Sequence, residues 1–200
     1  MRSRWSIGVM FLITALGAVP LVLFLRGGIS ARNAPSSAEE AVARRLRSLL
    51  MPAEARAARN PLTLEPRILA EGRAHFADHC ASCHSNDGSG QTELGRNLHP
   101  RAPDMRGPAT QGLTDGELFY IIENGVRLTG MPGWGGAGKP EESWKLVHFI
   151  RNLPRLTPED LAEMEQLNPR SAEAWREFQE EAEFLKGTGR APAPREHAGH

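Results

Sequence analysis

Two cysteines three positions apart with a histidine directly behind them, Cys80-Ala81-Ser82-Cys83-His84, constrain this chain more than any other feature. They are the only 2 cysteines in 200 residues. The spacing is that of covalent c-type haem attachment. Each sulfur can add to a haem vinyl group to form a thioether, while the adjacent imidazole reaches the iron as proximal ligand. A zinc site would want about four nitrogen or sulfur ligands at recognisable spacings, and no second cysteine pair exists. A redox dithiol of thioredoxin type would need βαβ surroundings, which the pattern lacks. With both sulfurs engaged by haem, none remains for a disulfide.

One protein ligand leaves the sixth position of the iron to be filled. Met131 lies in Thr129-Gly130-Met131-Pro132-Gly133-Trp134, a loop stiffened by Pro and loosened by Gly. It follows His84 by 47 positions, enough chain to wrap once around a porphyrin. Met105, in Pro103-Asp104-Met105, is the rival ligand, and its simpler reading is an apolar contact on the pocket wall. Met10, Met51 and Met164 read as packing residues.

With these residues in view, the stretch from about Glu65 to Pro154 resembles a class I monohaem c-type cytochrome of bacterial type. Four pieces carry the resemblance. They are the helix from Glu71 into Cys80, the Cys80–His84 motif with Asp87-Gly88-Ser89-Gly90 after it, Thr129-Gly130-Met131-Pro132, and the helix from Trp144 to Pro154. The resemblance implies a single low-spin haem c with iron held by His84 and Met131, and one-electron transfer between redox protein partners. It also implies that Gly72 and Phe76 pack the first helix against the last, near Phe149. The candidate pocket is completed by Arg96, Pro100, Pro103, Met105, Leu128 and Trp134. Arg96 and Arg101 are candidate propionate partners, and a carbonyl near Pro100 or Pro103 is a candidate acceptor for the free nitrogen of His84.

Trp5 to Leu25 is 21 residues without a charge, close to the roughly 20 needed for a membrane-spanning helix. A cleaved signal peptide is the alternative, but its apolar core is usually about 7–15 residues. The expectation is an uncleaved anchor in a bacterial inner membrane, with the haem domain in the periplasm as the resemblance implies. Signal cleavage would instead leave a soluble periplasmic protein. The formal charge of +0, with no basic stripe interleaved with aromatics, argues against a nucleic-acid partner.

The expected organisation is an anchor over residues 1–28, a linker with a short helix over 29–64, the cytochrome domain over 65–155, and a helical extension with a disordered tail over 156–200. Ser37 to Leu50 carries Val42, Leu46, Leu49 and Leu50 on one helical face, with Arg44, Arg45 and Arg47 on the rest. It reads first as a helix packed on the domain or frayed in solvent, and second as a membrane-surface helix. Pro61 to Pro66 reads as a linker, and helix one as Pro66 to Ala81 with its proline in the first turn. His75 and His79 on it read as exposed histidines.

No helix is evident from Ser85 to Thr110. Thr114-Asp115-Gly116-Glu117 is a capping box opening a helix to Asn124, and Glu141 to Asn152 forms the last domain helix. Thr157 starts another helix to Leu167, and Ser171 caps a final one to about Lys186. His197 and His200 in the tail are too few to frame a metal site. No run alternates with period two, so the fold class is all-α. The functional expectation is a membrane-tethered electron carrier without bond-making chemistry of its own. The alternatives are a haem subunit of a larger dehydrogenase or oxidase, or a haem sensor or enzyme with a labile sixth ligand.

Overall fold

The computed structural model describes residues 35–136, 138–169 and 183–187, with isolated positions 14, 17–19 and 22. The expected anchor, the final helix from Ser171 and the tail with His197 and His200 fall outside the described residues, apart from those few positions. Among the described residues there is no strand, and no helix is long and apolar enough to cross a membrane.

Ser36 caps α1, Ser37–Leu50, through a complete capping box with Glu39. A short helix, α2 (Ala53–Ala57), follows Pro52. Helix α3, Pro66–His75, runs without a break through a π-helical turn, Phe76–Cys80, into α4, Ala81–His84. The expected single helix is therefore present, but it extends to His84 and is widened where it meets the motif. Helices α5 (Glu93–Asn97) and α6 (Pro108–Gln111) interrupt the stretch that read as irregular. Helix α7, Asp115–Asn124, has the expected Thr114–Glu117 box. Helix α8, Pro140–Asn152, is extended by a 3-10 turn, Leu153–Arg155, and α9, Pro158–Leu167, is capped by Thr157.

The core forms where α3 crosses α8. A side chain at Gly72 would place its Cβ 2.4 Å from the Lys145 carbonyl oxygen and 3.2 Å from the Phe149 Cβ, so the crossing needs a glycine there. One turn on, the rings of Phe76 and Phe149 lie 5.1 Å apart, both fully buried, as the resemblance implied. Leu146, Val147 and Met164 are also fully buried, and each such side chain contributes about 1.5–3 kcal/mol relative to exposure. Phe119 stacks on Trp144 at 4.1 Å, joining α7 to α8. Lys145 is nearly covered, and its Nζ bridges Glu71 at 2.7 Å and Glu142 at 2.8 Å.

Two segments are more firmly built in than the sequence suggested. The 61–66 linker is sewn to α8: Asn60 donates to the Trp144 carbonyl at 2.9 Å, and the Leu62 carbonyl lies 2.9 Å from His148 Nε2. Helix α9, expected as an appendage, sends Met164 into the core and pairs Asp160 and Glu163 with Arg73. Asn168 accepts from Asn86, just past the cysteine motif, at 2.9 Å.

Candidate functional site

The π-helical turn ends on Cys80, so the motif emerges from a helix whose other side is locked in the core by Phe76 and Ala77. Both thiols are unpaired and half-covered. Burial, reinforced by nearby Cys83, pushes the Cys80 thiol up to about 12. A redox dithiol is usually activated by a lowered pKa, so this environment is unlike one.

The helix stops at Ser85, whose φ of 62° is left-handed. The carbonyls it leaves behind are then taken up by the following loop: Thr92 Oγ1 donates to Cys83 at 3.0 Å, and the Gly90 amide to His84 at 2.8 Å. Gly95 lies so close that a Cβ there would fall 2.2 Å from the Cys83 carbonyl oxygen. Beyond it, Asp87 and Asp104 share Arg106, and the Met105 amide donates to Gly88 at 2.8 Å. The motif's exit is thus held from several directions.

His84 is held below its ordinary pKa, mainly by burial, with the Pro103 backbone acting in the opposite sense. Its Nδ1 is buried, yet no acceptor meets hydrogen-bond geometry there. The Pro103 backbone is near enough to influence the ring but does not satisfy that nitrogen.

Met131 is carried on a loop hung from the end of α7. The Val126 amide donates to Met131 at 3.1 Å, the Trp134 amide to Ile122 at 2.9 Å, and the Gly135 amide to Glu123 at 2.9 Å. Thr129 Oγ1 donates to Val126 at 2.7 Å and accepts from the Met131 amide at 3.1 Å. Gly125, at φ 67°, has no room for a side chain against Met131 and Gly133. Two contacts bring this loop to the motif. The Trp134 ring meets His79, the residue before Cys80, edge-on at 5.3 Å. On the other side Leu98 packs against Gly130, and Leu98 belongs to the segment that Gly95 fixes on Cys83.

The expected pocket residues divide accordingly. Met105 is buried in the core, and Met131 is half-buried on its loop. Leu128 is 93% exposed with φ 64°, and Trp134, Arg96, Pro100 and Pro103 are exposed. His75 departs from expectation, being half-covered, with its ring 4.9 Å from that of His79. Thr92, Gly95 and Leu98 escaped the sequence reading. The Thr92 N-cap was the available signal, but a helix of 5 residues shows no periodicity.

Two unpaired thiols leading into a half-buried imidazole, with apolar side chains left exposed on the neighbouring loops, fit a large apolar group carrying a metal. These features define an all-helical haem-motif domain. Residues 68–150 match the family model described as Cytochrome C oxidase, cbb3-type, subunit III. The resemblance to class I c-type cytochromes therefore holds over the segment from α3 to α8, which contains the motif and the Met131 loop. A cytochrome c domain implies covalently bound haem c with its iron, and haem-based electron transfer in general. No curated protein matches the chain.

Proposed function

We propose that this chain is a one-electron carrier that holds one haem c through Cys80 and Cys83, with His84 and Met131 as the two axial ligands. When bound, the haem supplies the ferrous–ferric couple. The chain's own residues set its surroundings. His84 is placed by the clasp of Thr92, Gly90 and Gly95 on the end of α4. Met131 is presented by a loop that Thr129 and the α7 carbonyls hold closed. The exposed apolar side chains nearby, Leu128 and Trp134, would cover the bound haem and keep water from it, and a thioether ligand in an apolar pocket favours the ferrous state.

The observation that carries this reading is the pair of unpaired thiols one turn apart leading directly into His84. Assignment of the sixth ligand to Met131 rather than Met105 is supported by the burial of Met105 among core side chains. The test is spectroscopic. Met131→Ala should abolish the methionine–iron charge-transfer band and let the ferrous protein bind carbon monoxide, while Met105→Leu should do neither. Loss of the band in Met105→Leu alone would reverse the assignment.

The further reading is that the protein is tethered to the periplasmic face of an inner membrane through Trp5–Leu25, which is uncharged and long enough to span. A second reading, a haem subunit of a larger oxidase, is favoured by the description of the matching family. Purification from detergent-solubilised membranes separates the two, since a subunit brings its partners with it and a lone carrier does not.

A further inference from the structure

Helix α1 contributes no buried residue to the domain. Its apolar side chains Val42, Leu46, Leu49 and Leu50 are 58%, 51%, 68% and 80% exposed. At helical spacing these four fall on one arc, with Arg45 and Arg47 bordering it on either side and Arg44 and Ser48 opposite. Glu39 enters the arc only at the first turn, where the Ser36 amide donates to its carboxylate at 2.6 Å. Glu40 is occupied by Arg44 at 3.1 Å. Among the described residues no carboxylate pairs with Arg45 or Arg47.

We propose that α1 lies in the surface of a bilayer containing anionic phospholipid, with its leucines in the acyl boundary and its arginines at the headgroups. This deepens the membrane-tethered reading and rests on it. Charge complementarity is one argument: arginines flanking an apolar stripe suit an interface that is apolar below and anionic above. Reach is the other. The uncharged stretch ends at Leu25, 11 positions before Ser36. At no more than about 3.5 Å per residue, a segment anchored there keeps the start of α1 within ~40 Å of the membrane. The far end of α1 is fixed to the domain, where Arg56 donates to the Ser48 carbonyl at 2.9 Å and Met51 is buried. A docked α1 would therefore hold the haem domain against the lipid instead of letting it swing on its tether.

The test places single cysteines in the full haem-loaded chain, Leu46→Cys on the apolar arc and Ser48→Cys opposite. The chain is reconstituted into phosphatidylcholine vesicles with or without phosphatidylglycerol. The rate of modification by a polar maleimide is read by peptide mass. Anionic lipid should slow Leu46→Cys by about tenfold and leave Ser48→Cys nearly unchanged, and Arg45→Gln with Arg47→Gln should remove the effect. Equal Leu46→Cys rates in the two vesicles would overturn the proposal. Slow modification of Leu46→Cys in both vesicles, with or without phosphatidylglycerol, would overturn it in favour of a protein surface covering the stripe. Flotation in high salt tests the tether separately: a chain that leaves phosphatidylcholine vesicles is not anchored, whatever Leu46→Cys reports.

Discussion

Gly72 shows how much can rest on a missing side chain. The Lys145 carbonyl occupies the space of its Cβ, and a backbone oxygen cannot swing aside as a side chain can. Gly72→Val should therefore separate α3 from α8 and lower stability by about 1–3 kcal/mol or more, measured by denaturant unfolding. At this scale the site was partly legible. Cys80, Cys83 and His84 announce themselves because their chemistry requires adjacent positions. Thr92, Gly95 and Leu98 act through a carbonyl and a close approach, and neither leaves a mark on residue spacing. Met105 illustrates the converse. A methionine's sequence neighbours do not say whether it ligates or packs, and its burial among core side chains is what supports the proposal that it packs.

Among the elements, α9 departs most from its expected role. Its start was readable from Thr157-Pro158-Glu159-Asp160, and its bounds agree with the structure. Its docking was not readable, because the partner of Asp160 is Arg73, 87 positions away. Met164→Ala would leave a cavity beneath α9 and should cost about 2–5 kcal/mol, visible as a lowered denaturant midpoint. The pH response follows from Asp160. Hydrogen bonding from the Thr157 backbone, with further help from Thr157 Oγ1 and Arg73, holds its carboxyl below the ordinary 3.8. A depressed folded-state pKa contributes stability that is complete above the ordinary value and lost as pH falls below it. Hydrogen exchange should thus show α9 loosening below about pH 4. Asp160→Asn should loosen it at neutral pH and flatten that acid response. Helices α2, α5 and α6 went unread for a common reason: at 4–5 residues they are too short to display a face.

For the whole molecule, the all-α class and the larger helices follow from capping signals and periodicity that tertiary contacts reinforce. The long stretch from Ser85 to Thr110 is held instead by contacts to the motif and by the space around it, which is why composition alone made it look irregular. That organisation makes sense around a covalently held haem, the claim on which the rest of the account depends. The most direct measurement is the mass of the peptide spanning Cys80 to His84, released by proteolysis after the purified protein is denatured in acid and organic solvent. The account predicts a single peptide carrying the mass of one haem with no thiol open to alkylation. Recovery of that peptide with two alkylated cysteines and no added mass would contradict it.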